Sequence, residues 1–434
     1  MADKVNIFWF RRDLRLDDNI GFYKALQGKF PVLPIFIFDK NILNELPEDD
    51  ARVSFIFDEL QKMRTELQEH SSSIALYHGT PKNIFKEIIS EYKVQNVITN
   101  HDYEPYAKTR DEEISALLEK EDIGFYTFKD QVIFEKNDIV KDDGGPYVVY
   151  TPYMKKWKET FNKNNHLTIY YTSQVMDNLI KHSRLPNIDL SDIGFKRSSI
   201  KVPEYDVTPT TIQEYENKRN LPALEATSRL GPHLRFGTVS VRKMMKKAIA
   251  EQNETFWQEL IWREFFMQIL WHFPETVDNA FRKKYDRVPW RKAQTDFQQW
   301  KEGKTGYPLV DAGMRQLNKT GYMHNRVRMV VASFLCKHLL IDWRWGEAYF
   351  AEKLLDYELS SNVGNWQWAA GSGVDAAPYF RIFNPTTQLE KFDKNHKYIK
   401  QWIEEYDTDA YPDKMVVHKE ARERALETYK NAIN

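Results

Sequence analysis

The chain has 434 residues, of which 42% are hydrophobic and 29% charged, and its formal net charge is −1 at pH 7. This balance excludes wholesale disorder and indicates two or three globular domains of roughly 100–200 residues each. Cys336 is the only cysteine, which excludes a disulfide framework, a cysteine-rich zinc site and a four-cysteine iron–sulfur cluster.

The chain lacks an apolar segment long enough to cross a membrane. Its longest apolar run, Val32–Phe38, is far shorter than the ~20 residues that span a bilayer. The N-terminus, with Asp3 and Lys4, does not have the pattern of a signal peptide. We therefore expect a reducing, cytoplasmic location.

The first 130 residues alternate short β-branched or aromatic runs with helical segments. The predicted strands are Val5–Phe10, Val32–Phe38, Ile74–Tyr77 and Val94–Thr99, and the predicted helices lie near Ala51–His70, Pro81–Tyr92 and Ala107–Glu121. Such alternation indicates a parallel, doubly wound sheet, and hence an α/β domain over residues 1–130. No GxGxxG follows the first strand, where RRDLRLDD from Arg11 stands instead, so a familiar dinucleotide site is not supported.

The rest of the chain divides into a polar stretch and a helical region. Residues 131–205, which include the run DDGGP from Asp142, predict an interdomain linker with little regular structure. Apolar residues then recur at three- and four-residue spacing in Phe256–Phe273 and His324–Leu340, which predicts helices. We therefore expect a larger all-α domain over residues 206–434.

Basic residues and tryptophans are concentrated in the second half. The segments 223–250 and 281–292 each contain six Lys or Arg against one acid, although such clusters are often solvated helix faces. Nine of the 12 Trp lie between Trp257 and Trp368, which indicates that this segment uses indole rings.

Several familiar motifs are absent. Gly303-Lys304-Thr305 is not a P-loop, because Gln298 stands where the motif needs its first glycine. No GxSxG elbow occurs, and the 11 His show no HExxH spacing, so we expect no metal site. Two helical faces instead combine polar side chains with a tryptophan or a methionine, a combination that suits a flat polar ligand. The first face would also be explained by an ion pair beside a Trp of the core. The two faces consist of Glu259, Trp262 and Arg263, and of Asn325, Arg328 and Met329.

Six motifs occur together along nearly the whole chain. They are WFRRDLRLDDN from Trp9, TSRLGPHLRFGTVS from Thr227, ELIWREF from Glu259, GKTGYPLVDAGMRQL from Gly303, GYMHNRVRM from Gly321 and SNVGNWQWAAGSGVDAAPYFRIFNPTTQLEKFD from Ser361. The motifs occur in the order found in the photolyase/cryptochrome flavoprotein family. The chain therefore resembles that family, and within it the bacterial class I cyclobutane pyrimidine dimer photolyases.

The resemblance implies that the helical domain binds FAD. The phosphates of FAD would contact the loop that begins at Thr227, since backbone N–H groups at the start of a helix bind anions. Asn362 would face N5 of the flavin. Gly231 replaces the family's more usual Ser, and Glu358 stands where Asp is commoner. The implied FAD-binding residues are Tyr215, Thr227, Ser228, Arg229, Leu230, Gly231, Arg263, Arg328, Asp356, Glu358 and Asn362.

The resemblance further implies light-driven repair of pyrimidine dimers in DNA. Excited, reduced, anionic FAD would pass an electron to a dimer that has been flipped out of the duplex. The implied catalytic residues are Glu259 and Asn325, which would hydrogen-bond the lesion, Trp262 and Trp368, which would stack on it, and Met329, which would pack against it. The implied DNA-binding residues are Trp262, Arg326, Arg381 and Trp368, with the basic run around Arg287–Arg291 gripping the backbone.

Three tryptophans match the family's electron-transfer chain from the flavin to the surface. They are Trp366, Trp343 and Trp300. Closely spaced indoles can relay a hole outward, although ordinary core packing would also explain buried tryptophans.

The second, antenna chromophore is left open. The folate-binding members carry Asn-Glu where this chain has Tyr106-Ala107, so folate is doubtful, and a deazaflavin, FMN or no antenna remain as alternatives. A (6-4) photolyase is disfavoured because Asn325 and Met329 replace its two His. A cryptochrome-type photoreceptor without repair activity is the alternative function. We expect a monomer that acts on DNA without metal or membrane.

Overall fold

The computed structural model describes residues 4–434, and these form two compact units. The first unit comprises the described residues up to Glu135, together with Thr160–Tyr205 and Arg229–Ala250. The second comprises Lys136–Glu159, Asp206–Ser228 and Glu251–Asn434.

Five strands and 19 α-helices, with short 3₁₀ and π-helical turns between them, make up the regular structure of residues 4–434. The strands are β1 (Val5–Phe10), β2 (Val32–Asp39), β3 (Ala75–Gly79), β4 (Val94–Asn100) and β5 (Gly124–Phe128). The helices are α1 (Ile20–Leu26), α2 (Lys40–Leu43), α3 (Ala51–Glu69), α4 (Pro81–Glu91), α5 (Pro105–Lys120), α6 (Tyr150–Thr160), α7 (Lys163–His166), α8 (Pro209–Lys218), α9 (Gly231–Phe236), α10 (Val241–Ala250), α11 (Glu254–His272), α12 (Gln294–Glu302), α13 (Pro308–Thr320), α14 (Asn325–Ser333), α15 (Trp343–Lys353), α16 (Leu359–Ala370), α17 (Pro385–Phe392), α18 (Lys397–Trp402) and α19 (His418–Ile433).

The first unit is built on a parallel sheet with strand order β3-β2-β1-β4-β5. Every residue of β1 and β2 is buried, as expected for strands that are covered on both faces. Phe8 and Phe10 point into a core that contains Phe22 of α1, whereas Ile7 and Trp9 join Phe85 of α4 in a second core. The prediction of a doubly wound α/β domain is confirmed.

Three elements within residues 4–130 were not predicted, namely α1, the four-residue helix α2 and the strand β5. The short helix α1 begins at an N-cap, Asn19, whose side chain accepts a hydrogen bond from Phe22 N. The edge strand β5 has the sequence GFYTF, and its Tyr126 is exposed. A five-residue edge strand that begins with Gly has no alternating pattern strong enough to predict it.

The segment predicted as an interdomain linker, residues 131–205, contains some regular structure. It contains α6, α7 and three single 3₁₀ turns, and it supplies buried side chains to both units. Tyr153 and Trp157 of α6 are buried in the second unit, and Leu179 and Leu185 in the first. These buried apolar residues lie far apart in a mostly polar segment, so the composition of the segment did not predict that they would be buried.

The predicted start of the helical domain at residue 206 also differs from the structure, because 229–250 packs with the sheet unit. Arg242 of α10 is 4% exposed and pairs with Asp130 at 2.9 Å and with Asp18 at 3.1 Å. Burial alone would lower the pKa of Arg242, but the two carboxylates outweigh it and the pKa is raised. Part of the basic segment 223–250 is therefore neutralised inside the protein.

The second unit is helical, and its core is rich in aromatic residues, among them the buried Trp300, Trp343 and Trp366. The predicted helix Phe256–Phe273 corresponds to α11, whereas the predicted helix His324–Leu340 is α14 followed by a π-helical turn, Phe334–His338. Within residues 4–434, neither a helix that could span a membrane nor a group of three potential metal ligands is found.

Arg242→Ala is expected to lower the free energy of unfolding by about 3–5 kcal/mol, because it leaves the buried carboxylate of Asp18 without its cation and leaves Asp130 paired with Arg15 alone. The matched control is Lys243→Ala, which removes a half-exposed pair with Asp17 and should cost less than about 1 kcal/mol. Urea denaturation monitored by far-UV circular dichroism measures both. Equal losses for the two variants would contradict the role given to Arg242.

Candidate active site

A cleft in the second unit brings together many of the predicted site residues. Its empty space, including the part that is open to solvent, is about 580 Å³. The predicted residues among those that line it are Asn325, Arg328, Met329, Asp356, Glu358, Asn362, Trp366 and Trp368. Positions assigned to a flavin and positions assigned to a lesion thus share one cavity.

An ion pair forms part of the wall of this cleft. Arg328 of α14 binds Asp356 through two parallel contacts of 3.1 and 2.9 Å, and its Nε donates to Met323 O at 2.7 Å. Burial alone would lower the pKa of Arg328, but the Asp356 carboxylate more than compensates and raises it. Such a bidentate pair fixes the guanidinium plane, which can then lie against a flat ring.

Asn362 is held by a residue that sequence reasoning missed. Its Nδ2 donates to the backbone O of Glu347 at 3.1 Å and to Glu347 Oε1 at 2.9 Å. Burial raises the pKa of Glu347, and the hydrogen bond from Asn362 lowers it in part. Because both contacts use Nδ2, the amide of Asn362 has a fixed orientation. The helical spacing of residues within α15 does not predict that Glu347 contacts Asn362.

The α11 residues have separate partners. Glu259 pairs with Arg219, the residue that follows α8. Trp262 stacks on Tyr150 with ring centroids 3.5 Å apart and an interplanar angle of 7°. Tyr150, whose OH donates to Gln258 O at 3.0 Å, is another residue that the sequence did not indicate, because it lies in the supposed linker. Arg263 is half-buried on the same helix.

The residues of the predicted phosphate loop are assigned to different units. Thr227 and Ser228 belong to the second unit, and Thr227 Oγ1 is 3.3 Å from the hydroxyl of Tyr322. Arg229, Leu230 and Gly231 belong to the first unit, where Gly231 begins α9. Tyr215 of α8 is half-buried and packs edge-on against Phe256 at 5.1 Å.

The two predicted DNA-binding arginines differ in their surroundings. Arg381 is exposed in the loop before α17. Arg326 is half-buried, donates to Asn220 Oδ1 at 2.6 Å and lies 4.5 Å from the ring of Phe392. Trp368 is half-buried and faces Phe383 at 6.4 Å.

The three predicted electron-transfer tryptophans are all buried. The rings of Trp366 and Trp300 are 6.2 Å apart and nearly perpendicular. Trp300 is 0% exposed, so its ring does not reach the surface in this structure. Trp300 lies one turn before Gly303, the C-cap of α12. Its side chain points into the core, where Nε1 donates to Val331 O at 3.3 Å.

Comparisons with known proteins agree with these features. Residues 6–169 match the family model described as "DNA photolyase", and residues 256–408 match "FAD binding domain of DNA photolyase". A relative in Halobacterium salinarum, named deoxyribodipyrimidine photo-lyase, is 34% identical over 480 aligned positions that cover 99% of each chain. The chain belongs to the DNA photolyase family.

Two solved structures share the fold of this photolyase family member. A class III photolyase from Agrobacterium tumefaciens superimposes with a TM-score of 0.88 at 32% identity, covering 100% of this chain and 98% of the other. A cryptochrome from Synechocystis sp. PCC6803 gives 0.86 at 23% identity and 99% coverage of both, a likeness of fold alone. The predicted family, the assignment to the photo-lyase enzymes, the two-part fold and the FAD cofactor are confirmed.

The residues of the cleft fit the isoalloxazine ring of FAD. A guanidinium paired in a fixed plane, a restrained amide and an indole offer a flat, polar-edged surface in a partly enclosed space. This is the donor set that a heteroaromatic ring with polar edges requires.

Glu347→Leu is expected to speed the reoxidation of bound, reduced FAD in air severalfold, because Asn362 loses the side-chain acceptor that fixes its amide beside the ring. Glu347→Gln, which keeps an acceptor at Oε1, should behave like the wild type. Flavin absorbance after anaerobic reduction and mixing with air measures the rate. Identical rates in all three proteins would contradict this role of Glu347.

Proposed function

We propose that this photolyase family member splits cyclobutane pyrimidine dimers in DNA. One observation carries the proposal: a single cleft is lined both by Arg328, Asp356 and Asn362, which suit a flavin, and by Asn325, Met329 and Trp368, which suit a damaged base. Donor and acceptor would therefore lie in contact. Bound and reduced, FAD supplies the electron that light transfers to the lesion.

The protein's own residues would bind and orient the lesion. Trp368 has a half-exposed ring at the cleft, and stacking of a base on an indole contributes roughly 1–3 kcal/mol. Trp262, which already stacks on Tyr150 and lies near Phe266, would contact the lesion with the part of its ring that remains exposed. The exposed amide of Asn325, at the first position of α14, is available to hydrogen-bond the polar edge of a pyrimidine.

Basic side chains would hold the DNA backbone without reading its sequence. Arg381 and the run Arg282, Lys283, Lys284 and Arg287 are exposed in the second unit. Contacts of this kind position a duplex and make binding dependent on salt. These exposed basic side chains favour a partner that presents a regular array of phosphates, as DNA does.

Repair is tested with duplex and single-stranded DNA that carries one defined lesion. We expect the pre-reduced, illuminated wild type to restore cyclobutane dimers and to leave (6-4) products unchanged. Glu259→Ala should lower the number of dimers split per absorbed photon more than it weakens lesion binding, because Glu259 acts on the charge that develops during splitting. An unchanged quantum yield would remove Glu259 from the mechanism. No repair by a flavin-loaded, photoreducible wild type would instead favour the cryptochrome-type function.

We further propose that Trp366, Trp343 and Trp300 carry the hole that photoreduction of oxidised FAD creates. Trp300→Phe should then slow photoreduction while sparing repair by pre-reduced protein. Trp290→Phe is the comparison, because Trp290 is half-buried and Trp300 is not exposed. Transient absorption after a blue flash measures both. Loss of photoreduction in Trp290→Phe alone would leave Trp300 as a packing residue and place the exit at Trp290.

A further inference from the structure

Gln367 of α16 uses its whole amide to bind the chain that continues α11. Its Nε2 donates to the backbone O of Thr276 at 2.8 Å and to that of Asn279 at 3.0 Å. Its Oε1 accepts a hydrogen bond from Phe281 N at 2.8 Å. The side chain is 2% exposed, and both N–H groups and the oxygen of its amide are in use. These three bonds hold the segment 276–281 against the end of α16.

A second contact joins the same two helices about one turn earlier on α16. A Cβ on Gly364 would lie 2.3 Å from the ring of Phe266 on α11, so the two helices approach closely there. Trp262 stacks on Phe266, with ring centroids 5.6 Å apart. A helix that is held at one point can still pivot, whereas a helix held at two points cannot. Gly364 and Gln367 together therefore fix the distance and the orientation of α16 relative to α11.

Both helices carry an indole that the proposed function assigns to the lesion. Trp262 lies on α11 one turn before Phe266, and Trp368 follows Gln367 directly on α16. Both tryptophans are half-buried, so part of each ring can meet a base. Stacking requires close contact, because a gap of roughly 0.5–1 Å already removes a quarter to a half of the dispersion attraction. The placement of α16 relative to α11 thus decides how well the two rings fit one dimer.

We propose that Gln367 is a positioning residue that ties α16 to the segment after α11 and thereby sets the separation of Trp262 and Trp368 for a flipped-out dimer. This inference rests on the proposed function, because it assigns both rings to a lesion. The buried Gln367 acts through the two helices and does not contact the lesion itself. Without its amide, three backbone groups lose their partner, and the segment must shift to find new ones.

The first test measures how firmly the segment is held in the full-length, FAD-loaded protein without DNA. Gln367→Leu removes all three bonds and keeps a side chain of similar size. Hydrogen exchange of the backbone amides of residues 274–284, followed by mass spectrometry, should become severalfold faster, because Phe281 N–H loses its acceptor.

The matched control is Ser360→Ala on the same helix. Ser360 lines the same narrow space between α11 and α16 as Gln367 and is 4% exposed. Its Oγ has no hydrogen-bond partner within residues 4–434. Ser360→Ala should therefore exchange at the wild-type rate in residues 274–284.

The second test measures binding of DNA that carries one cyclobutane dimer and of the same DNA without it. Gln367→Leu should weaken binding of the dimer-containing DNA about fivefold to tenfold, a part of the stacking energy of the two rings, and should leave binding of undamaged DNA unchanged. The loss should fall below about twofold when Trp368→Ala is already present, because a ring that is absent cannot be misplaced. Ser360→Ala should bind both DNAs like the wild type.

Each outcome decides a different claim. An unchanged exchange rate in Gln367→Leu would overturn the proposal, because the three bonds would then not hold the segment. Equal losses of dimer binding with and without Trp368 would overturn it too, since general destabilisation adds to the effect of Trp368→Ala and does not depend on that ring. A wild type without preference for dimer-containing DNA would overturn the proposed function, and the exchange rate would still decide whether Gln367 holds the segment. If Gln367→Leu does not fold, Gln367→Glu, which keeps the acceptor but not both donors, must meet the same two conditions.

Discussion

The bidentate pair between Arg328 and Asp356 is the interaction on which the cleft depends. It ties α14 to the segment that precedes α16, and the third guanidinium contact, to Met323 O, fixes the start of the same helix. Removal of Arg328 would leave a carboxylate in the wall of a partly enclosed site, where an unpaired charge is costly. The other groups of the cleft, including the restrained amide of Asn362, are positioned relative to this wall.

Two glycines set how closely the surrounding helices approach α16. A Cβ on Gly346 of α15 would lie 2.1 Å from Cη2 of Trp366, and one on Gly364 of α16 would lie 2.3 Å from Phe266 of α11. Neither space can hold a side chain, so the ring of Trp366 and the helix that carries Glu259 and Trp262 are packed directly on their neighbours. Tight packing of this kind leaves little freedom for a misplaced ring.

The fold does not by itself distinguish repair from light sensing. A cryptochrome with 23% identity has nearly the same fold as a photolyase with 32% identity. The difference must therefore lie in individual side chains, and the proposed function rests on Asn325, Met329 and Trp368 in the cleft and on Glu259 on α11.

Sequence alone determined the sheet domain and the composition of the site. The buried strands β1 and β2 are continuous apolar runs, and the polar faces of α11 and α14 follow helical spacing, so both can be recognised from local pattern. The tertiary structure decided which partners those side chains have. Tyr150 under Trp262, Glu347 beside Asn362 and Arg219 against Glu259 join residues distant in the chain, and local periodicity carries no information on such contacts. The inward position of Trp300 and the division of residues 131–250 between the units were decided in the same way, because packing depends on what each apolar side chain meets rather than on its neighbours in sequence.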